Sequence, residues 1–518
     1  MQQILFFLNP MKIYDIKRFI RNMDEKKSCR SDAPKISFIK LSVDIIAPII
    51  TKIFNLCILK GVFPESLKLA EVIPIYKSGK KSNINNYRPI SLLSPFSKIF
   101  ETHICNQLTS YLNKNNILHS FQYGFREDSS TELAVTEIVD DITGALENKS
   151  INCSVFLDLA KAFNTVNHDI LLYKLDTYGV RGVPLQLIQD FLKDRTQCTS
   201  VNSYKSNAKH INVGVPQGSS LGPLLFLLYI NDLPTFTNLK VRLFADDACV
   251  SFEHKDPLFV EEVVNSELEK IKNWLNTNKL FINHAKSNFL IFSNLQLKHK
   301  FSIKLDNVEI SQSHSTKYLG VIIDDKLNWR EHISSLKSRL ARNSYAVAKL
   351  KPYLDEKTLK MVYYSLIYPH LQYCISSWGY AAPTNLDPVI KIQKRVVRNI
   401  CHKSSRSHTH PLFLRLELLK LVDIRKLQTA KLMFKYIDGS SLGHNPTIKL
   451  TDIHHHYTRL AANDNYYASS ATTEPGLRRF SYTGPTLWKQ VPTELKDKNF
   501  FQFKSRYKDY LIGKYSKK

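Results

Sequence analysis

Two apolar, β-prone runs break off at carboxylates, and no other feature of this 518-residue chain constrains its fold as strongly. The run "CSVFLD" from Cys153 ends at Asp158, and "VRLFADDACVSF" from Val241 is apolar on both sides of Asp246-Asp247. The first reads as a strand and the second as a strand–turn–strand hairpin with a polar tip. Aspartates that terminate such runs stand at the edge of a core. Clustered carboxylates repel one another and resist desolvation, so gathering them is costly without a cation. Transfer of a phosphoryl group from a nucleoside triphosphate to a hydroxyl needs two divalent ions and carboxylates to hold them. A strand end facing a hairpin tip supplies these compactly, although an Asp-Asp pair read alone is usually only a turn.

The remaining periodicities place helices and strands around this pair. Apolar side chains at three- and four-residue steps predict a helix over 44–63, closed near Gly61 and Pro64. "SSTELAVTEIVDDITGALEN" predicts another, with Ser129 or Ser130 as its cap. "AEVIPIYKSG" and "NFLIFS" read as short strands, and "HSTKYLGVIIDDKLNW" as a hairpin leading into a basic helical region. After about residue 330, "LKSRLARNSYAVAKLKPYL", "EKTLKMVYYSLIYPHLQYC" and "LDPVIKIQKRVVRNI" each read as a helix. Strands interleaved with long helices predict an α+β fold.

With 72 Lys+Arg against 46 Asp+Glu the formal net charge is +26, which favours a polyanionic partner through counterion release. The eight cysteines form no C-x-x-C pair, so neither a zinc knuckle nor a redox pair is signalled. The histidines at 402, 408 and 410 and at 454, 455 and 456 also fail zinc spacing. The apolar run "LGPLLFLLYI" from Leu221 is about half a bilayer span, so it reads as a buried segment, with no membrane partner expected.

At "FLDLAKAFNTVNH" and "FADD" the chain resembles reverse transcriptases, whose motifs A and C carry these aspartates. The words "IPIYKSGKKSNINNYRPISLLSPFSKIFE", "QYGFREDSS", "GVPQGSSLGPLLFLLYINDLP", "NKLFINHAKSNFLIF" and "STKYLGVIIDDKLNW" follow in the order of the non-LTR, LINE-like (jockey/CR1-type) branch. The resemblance implies a right-hand polymerase fold. Residues 1–69 would form an N-terminal helical extension and 70–330 the fingers and a palm whose antiparallel sheet carries the carboxylates. A thumb-like helical region over 331–400 and a helical and loop region over 401–518 would follow. It implies an RNA-directed DNA polymerase that extends a DNA 3′-hydroxyl with deoxynucleoside triphosphates, using two Mg²⁺ ions for which Mn²⁺ can substitute. The implied partners are an RNA template, a DNA primer or target DNA, and the RNA–DNA hybrid. Nuclear action, with assembly on RNA in the cytoplasm, follows from the same resemblance, which leaves the oligomeric state open.

By the same resemblance Asp158, Asp246 and Asp247 would hold the metals. Lys286 would approach the leaving pyrophosphate, and Arg126 would grip the triphosphate with its guanidinium fork. Arg88 belongs to a further motif of the fingers. Phe163 would lie under the sugar and exclude a 2′-hydroxyl, though read alone it is a core phenylalanine. Gln217 and Gly218 form the motif B turn that holds nucleotide and template in register. The helix with Lys391, Lys394, Arg395 and Arg398 offers a basic face to the hybrid backbone, or equally a solvated face of a packing helix.

The sequence departs from the family where Asn164 and Asn167 stand for aspartates, which predicts weaker local hydrogen bonding, and where Arg30 stands for a usual glycine. Complete relatives carry an endonuclease ahead of the polymerase, and residues 1–69 are too few to hold one, so the reading frame is expected to be truncated. Two readings remain open: an active polymerase serving retrotransposition, and a catalytically silent nucleic-acid-binding relic. A group II intron maturase would share the polymerase core but not the C-terminal words.

Overall fold

The computed structural model describes residues 5–202, 204–439 and 466–516. The histidines at 454–456 lie outside the described residues. The protein is an α+β structure of two units, Met1–Phe125 with Leu159–Asn238 and Glu269–Asn283, and Arg126–Asp158 with Leu239–Leu268 and His284–Lys518.

In the first unit the strand Leu69–Tyr76 pairs antiparallel with Tyr87–Leu92 and parallel with Arg195–Val201. The helix Val43–Lys60 stops at Gly61, whose φ of +66° is the left-handed turn that glycine adopts without a Cβ penalty. Phe54 stacks on Phe100 at 4.5 Å, and Phe63 bridges Phe100 and Phe191. These rings anchor the core, each contributing roughly 2–3 kcal/mol by burial. The apolar run from Leu221 is the helix Gly222–Ile230, in which every residue except Pro223 is buried. A helix apolar on all sides lies inside a core. Among the described residues no helix is long and apolar enough to cross a membrane.

The second unit is built on a five-stranded sheet in the order Ser311–Gln312, Asn288–Phe292, Ile151–Asp158, Asp247–His254, Lys240–Phe244. Helix Thr131–Glu147 packs on it, capped by Ser130, whose Oγ accepts the Leu133 N–H at 3.1 Å. Two later parts of the chain fasten onto this helix. Ser481 N–H donates to Asp140 at 2.7 Å, and the Tyr436 hydroxyl donates to Glu137 at 3.1 Å. Phe503 stacks on Phe434 at 4.9 Å and holds the last helix, Phe500–Gly513, against Leu421–Ile437.

The hairpin Ser315–Tyr318 with Val321–Asp324 turns on Leu319 and Gly320, both at positive φ, and leads into helix Arg330–Leu350. The single helix expected over "EKTLKMVYYSLIYPHLQYC" is instead broken into Glu356–Leu366 and Tyr368–Gln372. Pro369 lacks an N–H and crowds the turn before it, so the chain restarts a helix there instead of continuing one.

His332 ties the hairpin to that helix. Its Nδ1 accepts the Ile322 N–H at 3.3 Å, and burial, with a smaller push from Arg339, lowers its pKa from 6.5 to about 4. Between those values the unfolded chain binds a proton that the folded one refuses. Stability is therefore full above pH 6.5 and falls as the pH drops toward 4, by roughly 2–4 kcal/mol. Thermal unfolding from pH 7.5 to 4.5 checks this. His332→Asn, which does not titrate, should flatten that part of the slope, and an unchanged slope would refute the assignment.

Candidate active site

The strand Ile151–Asp158 is buried from Ile151 to Leu157, and only Asp158 at its end reaches solvent, with its side chain 35% exposed. Asp158 stands directly opposite Asp247 in the antiparallel register, and Phe244 opposite Asp247 closes the neighbouring hairpin. The turn is therefore only Ala245-Asp246, with Ala245 buried at φ +55° and Asp246 exposed. Opposed residues of an antiparallel pair bring their Cβ atoms to about 4.5–5.5 Å on one face, where like charges destabilise each other. Asp158 and Asp247 form such a pair. Asp246 lies one residue off this pair, in the turn.

Lys286 and Ser287 precede the strand Asn288–Phe292, which pairs with the other edge of Ile151–Asp158. The register brings Lys286 Nζ to 3.6 Å from Asp158 Oδ2 and lets Ser287 Oγ accept the Asp158 N–H at 3.2 Å. The ion pair is solvent-exposed and worth at most about 1 kcal/mol, so another cation or anion can displace it readily. Nothing in the sequence singled out Ser287, because its role depends on strand pairing. Arg126 lies on the loop before helix Thr131–Glu147. It is partly buried, which lowers its pKa against the opposing pull of Asp128.

The other predicted residues gather in the first unit. Phe163 stacks on Phe226 at 4.6 Å and meets Phe125 edge-on at 6.2 Å. Its carbonyl accepts the Val215 N–H at 2.8 Å, which ties it to the turn carrying Gln217 and Gly218. Gln217 Nε2 donates to Asn164 Oδ1 at 3.3 Å, and its carbonyl accepts the Ser91 N–H at 2.7 Å. Gly218 has φ +127°, and a Cβ there would stand 2.4 Å from the Ser91 carbonyl oxygen. Arg88 is exposed three residues before Ser91 on the strand Tyr87–Leu92.

Asn164 and Asn167 both accept local hydrogen bonds. Asn167 Oδ1 caps helix His168–Thr177 by accepting the Ile170 N–H at 3.1 Å, and asparagine caps a helix as well as aspartate does. Arg30 pairs with Asp32 and donates to the Leu69 carbonyl at 3.4 Å.

Among the described residues no group of three or more His, Cys, Asp or Glu side chains is gathered tightly enough to hold a metal ion. The donor set nevertheless fits magnesium in kind. Carboxylate oxygens are its preferred protein ligands, and the opposed Asp158 and Asp247 with Asp246 beside them supply three.

Residues 77–323 match the reverse transcriptase (RNA-dependent DNA polymerase) family, and the chain belongs to it. It is related in particular to the polymerases of jockey-type non-LTR retrotransposons. It is 31% identical over 437 residues to the RNA-directed DNA polymerase from mobile element jockey of Drosophila melanogaster, covering 81% of this chain and 47% of that protein. The jockey polymerase of Drosophila funebris is 30% identical over 406 residues, covering 76% and 44%. The probable RNA-directed DNA polymerase from transposon X-element of Drosophila melanogaster is 29% identical over 360 residues, covering 68% and 39%. The chain thus spans less than half the length of these relatives.

Proposed function

We propose that this chain extends a DNA 3′-hydroxyl with deoxynucleoside triphosphates on an RNA template, in the service of retrotransposition. The observation that carries the reading is the like-charge pair Asp158–Asp247, held by strand register beside Lys286 within the family-matched segment. Residues 70–330 would serve as fingers and palm and 331–400 as thumb, with 1–69 leading into the fingers and 401–518 following the thumb. Action in the nucleus goes with the same reading.

Asp158, Asp246 and Asp247 would hold two Mg²⁺ ions, or Mn²⁺ in their place, with Asp246 swinging from its turn toward the other two. When bound, such ions screen the triphosphate and acidify the attacking hydroxyl. Lys286 would exchange its weak contact with Asp158 for the departing pyrophosphate, where an ammonium stabilises developing charge. Arg126 and Arg88 would take phosphate oxygens. Gln217 and Gly218 would seat the nucleotide against the template, with the Phe163 ring under the sugar. On helix Pro383–Ile400, Lys391, Lys394 and Arg395 are exposed beside a buried apolar face and suit a nucleic-acid backbone, contacts that position without reading sequence.

Primer extension by the purified protein on homopolymer RNA and DNA templates tests this. Deoxynucleotide addition should require Mg²⁺ and vanish on chelation. A folded protein that binds hybrid but adds nothing would leave only the silent relic. Phe163→Val should weaken discrimination against ribonucleotides by at least about tenfold. Unchanged sugar selection would remove that role from Phe163.

A further inference from the structure

The word "SKIFE", part of the family resemblance, has no role in the reading above, yet its glutamate is completely buried. Glu101 lies on helix Pro95–Lys114 with 0% of its surface exposed. One carboxylate oxygen accepts the Ser97 hydroxyl at 2.6 Å, and the other accepts the backbone N–H groups of Ser220 at 2.8 Å and Leu221 at 3.4 Å. Thr102, the next residue, donates to Ser220 Oγ at 3.1 Å. The acceptor thus meets the chain between the turn at Gln217-Gly218 and the helix Gly222–Ile230, where backbone N–H groups have no partner within the helix. From the other side the same turn is held by the Ser91 N–H on the Gln217 carbonyl.

We infer that Glu101 is a positioning residue for the incoming nucleotide, fixing the Gln217-Gly218 turn by accepting the N–H groups of Ser220 and Leu221. This deepens the proposed polymerase function and rests on the roles given there to Gln217 and Gly218. A buried carboxylate that accepts from several donors at once fixes their geometry, and removing it strands the Ser220 and Leu221 N–H groups. Burial pushes its carboxyl pKa upward, while the Ser97 hydroxyl, the buried Arg195 and the two N–H groups pull the other way.

Glu101→Met and Glu101→Gln separate positioning from simple packing. Both keep the length of the side chain and both remove its charge near Arg195. Only glutamine keeps an oxygen for Ser220 and Leu221, with its amide nitrogen donating to Ser97 Oγ. Hydrogen exchange of the 217–222 segment in the nucleic-acid-free protein should be about tenfold faster in Glu101→Met and should return close to the wild-type rate in Glu101→Gln. In primer extension the methionine variant should raise the KM for deoxynucleotides about tenfold with a much smaller change in kcat, and glutamine should recover most of it. Equal exchange in both variants, loosening spread evenly through the unit, or a kcat loss with unchanged KM would each overturn the assignment. If the wild-type protein extends no primer, the polymerase reading fails, and the exchange comparison alone decides whether Glu101 orders the turn.

Discussion

Replacing Asp158 by alanine is expected to reduce primer extension by about 10²–10³-fold or more while leaving the stability of its unit within about 1 kcal/mol of wild type. The two effects separate because the residue sits where charge is placed at a structural cost. Asp158 faces Asp247 across the sheet, so removing it relieves a repulsion. Its only salt bridge among the described residues is the exposed contact with Lys286. Its backbone N–H, bonded to Ser287, is retained in the variant. A residue kept for the fold would behave in the opposite way, with the melting temperature falling first and activity following. The measurements are primer extension, thermal unfolding and binding of an RNA–DNA hybrid. Activity within tenfold of wild type would exclude Asp158 from the catalytic set. A drop of several degrees in melting temperature would mark it as structural.

Gly218→Ala is expected to cost on the order of 3 kcal/mol or more and to abolish extension with it. Two penalties combine. At φ +127° an L side chain is strained wherever it stands, and here its Cβ would also be 2.4 Å from the Ser91 carbonyl oxygen. That oxygen cannot simply retreat, because Ser91 is bound into the sheet opposite Val72 and its N–H holds the Gln217 carbonyl. Gly439 provides the comparison. It also has positive φ, at +70°, but among the described residues nothing lies within 4 Å of its would-be Cβ, so Gly439→Ala should cost only about 1 kcal/mol. Chemical denaturation of the two variants checks the difference. Equal costs would show that the Gly218 turn relaxes away from Ser91 and is not fixed by it.

Much of this architecture was legible along the chain because local physics writes it there. The helix closed at Gly61, the Ser130 cap and the strand–turn–strand at Asp246 all follow from periodicity, capping chemistry and turn residues acting over a few positions. The two carboxylate-ended runs were likewise visible, since each is a contiguous apolar segment with one polar end. The split at Pro369 was also written in the chain, but apolar periodicity carried the reading across the proline.

What stayed hidden depends on which strand pairs with which. The carboxylate-ended runs named Asp158 and Asp247 and the family resemblance named Lys286, but the sheet order decided that the first two stand face to face and that Lys286 comes to one edge of the pair. Likewise "SKIFE" and "GVPQGSSLGP" are both plain in the sequence, more than a hundred residues apart. Only packing put a buried carboxylate on the N–H groups behind the Gln217-Gly218 turn. Composition and spacing determined the kinds of groups available and the local shapes that carry them. Their partners were decided by tertiary structure, because register and burial are properties of the whole sheet and core and no short segment contains them.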